Sequence, residues 1–181
     1  MLETLKAGLP RLGLTLTDAQ VQTLCDFGNA VIRQNEVMNL TAITEPTQVA
    51  KLHLLDSLTV LTTGDFAGKT LIDVGCGAGF PGVPLAIACP ELKVTLLDSL
   101  GKRVHWLEEI LPQLGVQAEC VTAREELAEC TAAIKKLGLQ LEGIREFPID
   151  GTSHALILLK KIAPTPKQYP RRYAKIKQSP L

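Results

Sequence analysis

The chain has 181 residues, of which 46% are apolar and 21% charged, so it is long enough to bury a core and too apolar to be disordered. No apolar run reaches the roughly 18 residues of a membrane span, and the first residues lack the basic and apolar regions of a signal peptide. The five cysteines are scattered and include no Cys-x-x-Cys pair, which disfavours both a disulfide framework and a zinc site. We therefore expect a cytoplasmic protein without a bound metal.

The net charge of zero hides an asymmetry along the chain. Residues 158–181 carry seven basic side chains and no acidic one, whereas the residues before them carry 12 basic and 19 acidic side chains. A basic tail on an acidic body indicates either a polyanionic partner or a solubilising terminus, and the composition does not choose between them.

The pattern of the first 65 residues predicts helices. A short first helix is interrupted by Pro10 and Gly13. Thr17 and Gln20 form a capping-box pattern at the start of a longer helix. Apolar and small residues recur there at steps of three and four, namely Val21, Leu24, Cys25, Gly28, Val31 and Ile32. A further helix, with a proline in its first turn, is predicted over 46–64.

From residue 69 onward, short apolar runs alternate with helical stretches, a pattern typical of βαβ units and a parallel sheet. The predicted strands are 70–74, 93–97 and 118–122, and the predicted helices are 81–89, 101–111 and 124–137. Two further extended runs, 140–147 and 155–162, flank a turn at 148–151 and predict a β-hairpin. The fold class is therefore α/β, behind a helical N-terminal region.

The first predicted strand leads into a glycine-rich turn, Asp73-Val74-Gly75-Cys76-Gly77-Ala78-Gly79-Phe80-Pro81-Gly82. Glycines let a backbone pass close to a ligand, and a helix that begins near Pro81 directs its N-terminal amides toward the turn. Gly77-x-Gly79-x-x-Gly82 matches the dinucleotide-binding pattern, and Asp98 follows Gly77 by 21 residues, roughly the spacing of a ribose-binding acid. A dinucleotide cofactor is thus one interpretation of the turn.

The acid at the end of this strand favours a different cofactor. The Asp73 carboxylate would repel a diphosphate but suits S-adenosylmethionine, which bears a sulfonium and an ammonium group. Asp98 would accept hydrogen bonds from ribose hydroxyls under either interpretation. A turn without any ligand is disfavoured by three glycines at every second position. We predict S-adenosylmethionine and keep the dinucleotide as the alternative.

The sequence resembles the bacterial 16S ribosomal RNA guanine-N7 methyltransferases, also called glucose-inhibited division protein B. Five blocks carry the resemblance in the same order: residues 39–43, 53–58, 71–84, 97–103 and 161–172. The resemblance implies a Rossmann-like methyltransferase domain over 66–163, behind a small helical region over 1–65 and before a basic tail over 164–181. It also implies methylation of a guanine N7 in 16S rRNA of the small ribosomal subunit, with S-adenosylmethionine as the cofactor.

The resemblance further assigns site residues, each at a matching position of this chain. The implied cofactor-binding residues are Asp73, Gly75, Cys76, Gly77, Gly79, Phe80, Asp98, Ser99, Arg124 and Glu125. The implied acceptor-side residues are Asn39, His53 and Asp56, and the implied RNA-binding residues are Lys167, Arg171 and Arg172. Taken without the resemblance, His53 and Asp56 are better explained as residues that cap or bridge a surface helix, and Asn39 as a turn residue.

The chain departs from the family near residues 124–125. The family carries about fifty more residues after the third strand, including a fourth strand that pairs with the first, and loss of that strand would leave a buried sheet edge unpaired. Guanine N7 has an in-plane lone pair and needs no deprotonation, which agrees with the lack of an evident catalytic dyad. A nucleotide-dependent oxidoreductase and a non-catalytic RNA-binding ribosome-assembly factor remain alternatives. We expect a monomer without a membrane partner.

Overall fold

The computed structural model describes residues 1–122, 137–149 and 152–167. Within these ranges, it describes only the backbone of residues 141, 144–149 and 152–157. These residues fall into two compact units. The first contains the N-terminal helices and a parallel sheet, and the second contains most of a β-hairpin. No helix within the described ranges is both long enough and apolar enough to cross a bilayer.

The N-terminal helices begin and end where local sequence chemistry places them. Helix α1 spans Leu2–Gly8, and a 3₁₀ turn follows and ends at Gly13 in the left-handed conformation, at φ 69°. Helix α2 spans Asp18–Asn35. The predicted capping box is confirmed, because the Thr17 hydroxyl accepts from the Gln20 N–H at 3.2 Å and the Gln20 side chain accepts from the Thr17 N–H at 2.9 Å.

Gln20 also fastens α2 to the α/β part of the chain. Helix α5 spans Gly82–Ala88, and its last carbonyl groups have no partner within the helix. The Gln20 side-chain amide donates to the carbonyl oxygens of Ile87 and Ala88, both at 3.0 Å. One side chain therefore caps the N-terminus of one helix and the C-terminus of another.

A second helical region extends from residue 46 to residue 63. It consists of α3, Pro46–Val49, then a π-helical segment, Ala50–Leu55, then α4, Asp56–Leu58, and a final 3₁₀ turn that ends before Gly64. The Glu45 carboxylate caps its start by accepting from Thr47 N and Gln48 N. The predicted helix is thus present, but its central turn is wider than an α-helix, a feature frequent at functional sites.

The sheet has three parallel strands in the order β1-β2-β3: Thr70–Val74, Lys93–Asp98 and Glu119–Thr122. Helix α5 connects β1 to β2, and α6, Gly101–Gln113, connects β2 to β3. Since right-handed crossovers place both helices on one face, that face carries the buried residues. Its core includes Phe27, Leu85, Leu96 and Leu107, each with a fully buried side chain, together with the buried Trp106.

The opposite face of the sheet is open within the described part of the chain. Ile72 is 58% exposed, Val74 48% and Val121 36%, although these are large apolar side chains. Strand β1 is paired only with β2 among the described residues.

The predicted hairpin is also present, but the prediction placed Pro148 and Ile149 in its turn, whereas both residues lie in its first strand. Strands β4, Leu139–Ile149, and β5, Thr152–Lys161, form a two-stranded sheet. Glu142 and Lys160 form an ion pair across it at 3.2 Å. Asp150 and Gly151 of the predicted turn lie outside the described residues, as does the predicted helix 124–137 apart from Leu137, which lies in a turn.

Candidate cofactor and acceptor site

The glycine-rich turn connects β1 to α5 at the carboxyl edge of the sheet, where open α/β sheets bind their ligands. The carbonyl oxygen of Leu97 accepts from Gly75 N at 2.7 Å and from Cys76 N at 3.1 Å. The Cys76 carbonyl accepts from Gly79 N at 2.7 Å and from Phe80 N at 3.1 Å. The turn is therefore held both by β2 and by its own backbone.

The glycines of the turn divide into two kinds. Gly75 and Gly77 have φ values of 78° and 56°, and a side chain built on either would point into space with no described atom closer than 3.9 Å. Gly79 and Gly82 are packed instead. A Cβ at Gly79 would lie 2.7 Å from the Val83 side chain, and one at Gly82 would overlap the Leu96 side chain. The first pair thus leaves a cradle open to a ligand, and the second pair brings turn, helix and strand together.

Asp73 lies beneath the turn. Its carboxylate accepts from Gly82 N at 2.8 Å, which joins the end of β1 to the start of α5. The side chain is buried, at 8% exposure. Burial raises the pKa of Asp73 to about 6, the Gly82 hydrogen bond opposes this rise, and the neighbouring Asp98 adds to it. The site therefore contains an acid whose charged form would be stabilised by a cationic ligand.

Asp98 lies at the end of β2 and is almost fully buried. Its two carboxylate oxygens accept from Gly77 N and Leu100 N, both at 2.8 Å, and Arg103 Nη1 approaches to 3.9 Å. Each oxygen can still accept one more hydrogen bond, which ribose hydroxyls could donate. Ribose binding by Asp98 stays a prediction. Ser99, which follows it, is exposed.

Most backbone amides of the turn are already used. Those of residues 75, 76, 77, 79, 80 and 82 donate to acceptors of the protein, Val83 N donates to the Gly79 carbonyl at 2.8 Å, and Pro81 and Pro84 have no N–H. The first amides of α5 are directed toward the turn, as predicted, but the Asp73 carboxylate and the Gly79 carbonyl accept from them, so they are not free to bind a ligand. A diphosphate needs such donors and would also meet two buried acids, so the geometry disfavours a dinucleotide.

Cys76 is 2% exposed within the turn. Burial, together with the charges of Asp73 and Asp98, raises the pKa of its thiol to about 12. A thiol in this environment stays protonated and is not a nucleophile. Its contribution is a small apolar side chain beneath the turn.

His53, from the π-helical segment, lies against the turn. Its ring stacks on Phe80 with centroids 4.6 Å apart and an angle of 18° between the planes. Its Nε2 lies 2.8 Å from the Thr41 hydroxyl. Burial lowers the pKa of His53, although the backbone of Leu52 and the charge of Asp56 favour its protonated form. The assignment of His53 to the acceptor side stays a prediction, and sequence reasoning did not find its contact with Phe80.

The remaining predicted site residues lie in several places. Asn39 is exposed in the loop after α2, and Asp56 is the first residue of α4. Lys167 is exposed at the end of the described residues, whereas Arg124, Glu125, Arg171 and Arg172 lie outside them.

Two basic residues at the end of β5 already have partners. Lys160 pairs with Glu142, and the Lys161 ammonium donates to the carbonyl oxygen of Leu137 and the hydroxyl of Thr165.

A parallel βαβ sheet, two open glycines and two buried acids at its carboxyl edge define a Rossmann-like methyltransferase. Residues 20–136 match the family described as rRNA small subunit methyltransferase G. The chain is similar to proteins named ribosomal RNA small subunit methyltransferase G. It is 33% identical to that of Pelotomaculum thermopropionicum over 99% of this chain and 98% of the relative. It is 33% identical to that of Alkaliphilus metalliredigens over 98% of this chain and 97% of the relative. It is 31% identical to that of Clostridium perfringens over 99% of this chain and 98% of the relative. The chain belongs to this family, whose members use S-adenosylmethionine.

The same comparisons reveal a difference in length. The alignment with the Pelotomaculum protein spans 234 positions, whereas this chain has 181 residues, so more than fifty positions of the relative have no counterpart here. Because the alignment covers 98% or more of both chains, most of these positions are internal. This agrees with the predicted absence of a family segment, while its location near residues 124–125 stays a prediction.

Proposed function

We propose that this chain transfers a methyl group from S-adenosylmethionine to N7 of a guanine in 16S rRNA of the small ribosomal subunit. The observation that carries the proposal is the turn itself. Gly75 and Gly77 border open space, Asp73 and Asp98 supply negative charge beneath it, and most of the turn amides are used internally. These features fit a cation-bearing cofactor rather than a phosphate-bearing one.

Bound S-adenosylmethionine supplies an electrophilic methyl group. The guanine N7 lone pair lies in the plane of the base, and its attack requires no proton to be removed. The protein therefore needs to hold the base in line and exclude water rather than provide a general base. Phe80 and His53 offer stacked aromatic surface beside the turn, which is the kind of surface on which unpaired RNA bases stack.

The acceptor side is proposed to comprise Asn39, His53 and Asp56. Asp98 and Ser99 are proposed to hold the cofactor ribose, and Arg124 and Glu125 to border the adenine. Lys167, Arg171 and Arg172 are proposed to contact RNA phosphates, since a basic segment without acidic residues suits a polyanion. The protein is proposed to act as a monomer in the cytoplasm.

Transfer of a tritiated methyl group to small ribosomal subunits tests the proposal. The subunits are taken from a strain that lacks this modification, and the labelled base is mapped after digestion of the rRNA. We expect label at a guanine N7. Absence of transfer to subunits and to naked 16S rRNA would defeat the proposal.

One observation favours a second candidate function. More than fifty positions of the relatives are absent from this chain, and one sheet edge and face are open in its described part. A non-catalytic RNA-binding assembly factor fits such a reduced domain. It predicts binding to small subunits, measured by co-sedimentation, together with no methyl transfer.

A further inference from the structure

A chain of hydrogen bonds organises the loop of residues 36–45, which we call the acceptor loop. Asn35, the last residue of α2, accepts through its side-chain oxygen from Leu40 N at 2.7 Å and from Thr41 N at 2.8 Å. These bonds turn the chain back toward the helix end. Asn39 is left exposed one residue before the first of them.

Thr41 carries the chain of bonds onward to the π-helical segment. Its hydroxyl oxygen accepts from Ile43 N at 3.1 Å and lies 2.8 Å from His53 Nε2. Since half-burial lowers the pKa of His53, the imidazole is neutral near pH 7. A neutral imidazole and a hydroxyl can each donate or accept, so the tautomer of His53 sets which of the two groups donates in this hydrogen bond.

His53 links this network to the cofactor turn. Its ring is nearly parallel to that of Phe80, which directly precedes Pro81 in the turn. Phe80 packs in turn on Phe27 of α2, with centroids 5.4 Å apart. The acceptor loop and the cofactor turn therefore contact each other through two side chains, one hydrogen-bonded to the loop and one belonging to the turn.

We propose that Asn35 and Thr41 are positioning residues, which act through His53 and Phe80 to hold the acceptor loop in register with the cofactor turn. The proposal rests on the proposed function, because it concerns the alignment of base and cofactor. Alignment matters here because the reaction uses no general base, and a displacement of about 1 Å reduces a rate by roughly a hundredfold.

Replacement of the Thr41 hydroxyl tests this role with little change in shape. Thr41→Val removes the bonds to His53 and Ile43, and Thr41→Ser restores the hydroxyl. Thr23→Val is the matched control, because the Thr23 hydroxyl donates only to the Ala19 carbonyl within α2. Methyl transfer to small subunits, the dissociation constant of S-adenosylhomocysteine and the melting temperature are measured for the wild type and all three variants.

We expect Thr41→Val to lower kcat/KM for small subunits by about tenfold or more. Its S-adenosylhomocysteine dissociation constant should remain within about twofold of the wild-type value, because Thr41 touches the loop and not the turn. Thr41→Ser should recover most of the activity, and Thr23→Val should resemble the wild type. Unchanged kcat/KM in Thr41→Val, or loss of activity only in step with the melting temperature, would overturn the proposal.

A spectroscopic readout separates this proposal from the proposed function. The ring nitrogens of His53 are observed by ¹⁵N NMR, together with the amides of Leu40 and Thr41. We expect Thr41→Val to shift the Nε2 resonance, and S-adenosylhomocysteine to shift the loop amides in the wild type but not in Thr41→Val. Equal amide shifts in both proteins would refute the positioning role while leaving methyl transfer intact. A wild type that binds S-adenosylhomocysteine but transfers no methyl group would refute the proposed function instead.

Discussion

Asp73→Asn isolates the energetic consequence of a buried acid beneath the cofactor turn. Asparagine keeps an oxygen that can accept from Gly82 N, so the bond between β1 and α5 is retained. The pKa of Asp73 rises from 3.8 to about 6 in the folded protein, and two units at about 1.36 kcal/mol each place the penalty of its charged form at about 3 kcal/mol. Burial of the new amide N–H groups offsets part of this, which leaves a net stabilisation of about 1 to 2 kcal/mol at pH 8.

The pH dependence follows from the direction of this shift. An aspartate whose pKa is higher in the folded than in the unfolded state makes the folded protein bind more protons between about pH 4 and pH 6. The wild-type protein therefore loses stability as the pH rises through that window, and the loss is complete near pH 7. The asparagine side chain of the variant does not titrate. The stability of the variant should exceed that of the wild type by a large margin at pH 8, and the difference should be close to zero or negative at pH 4.

Thermal unfolding without cofactor, followed by circular dichroism from pH 4 to pH 8, measures this difference. We expect the variant to melt about 3 to 6 °C above the wild type at pH 8. Asp65→Asn is the matched control, because the exposed Asp65 also accepts from a backbone amide, that of Ala67. A difference that is the same at every pH, or a variant less stable at pH 8, would refute the assignment of Asp73 as a buried charge with a raised pKa.

The same variant tests the electrostatic role of Asp73 toward the cofactor. S-adenosylmethionine carries a sulfonium charge that S-adenosylhomocysteine lacks. We expect Asp73→Asn to weaken the binding of S-adenosylmethionine by roughly tenfold, equivalent to about 1.4 kcal/mol, and to weaken the binding of S-adenosylhomocysteine by less. Calorimetric titration of both ligands measures the two losses, and equal losses would contradict a charge interaction with the sulfonium.

Three further substitutions test the packing around the site. Gln20→Glu places a carboxylate against the carbonyl groups at the end of α5, so it should lower the free energy of unfolding by about 2 kcal/mol, whereas the exposed Gln22→Glu should change it by less than about 0.5 kcal/mol in urea denaturation. Gly79→Ala forces a Cβ into the Val83 side chain at a φ of 95°, and it should be less stable than Gly13→Ala, which meets only backbone strain; similar melting temperatures would contradict the close packing. Ile72→Lys should leave the melting temperature nearly unchanged and reduce concentration-dependent association in analytical ultracentrifugation, since Ile72 lies on the open face of an edge strand; a large fall in stability would show that this face is covered.

Local sequence patterns predicted the elements around the site with few errors. The first strand was predicted at its observed bounds, and the capping box of Thr17 and Gln20 has both of its hydrogen bonds. Such features depend on residues within one turn of each other, so the sequence contains all the partners involved. The widening of the second helical region at Ala50–Leu55 was not predicted, because residue periodicity does not distinguish a π-helical turn from an α-helical one over six residues.

Contacts between residues that are distant in sequence determine which groups of the site are buried or hydrogen-bonded. The sequence pattern did not predict these contacts. The Gly82 amide is bound by Asp73 and the Gly77 amide by Asp98, so these helix and turn donors bind the protein itself. Phe27, which the helical periodicity did not single out, is fully buried and supports Phe80 from α2. Asn35 was not recognised as a loop anchor, because its partners are five and six residues away.

The sequence by itself determined the cofactor turn, the strands on either side of it and the likeness to a methyltransferase family. These depend on glycines, acids and short apolar runs whose chemistry is legible in order along the chain. Only the tertiary structure decided which amides remain available, which acid is buried and which ring His53 stacks upon. Those outcomes depend on distances between elements, since hydrogen bonds and desolvation act over a few ångströms irrespective of separation along the chain.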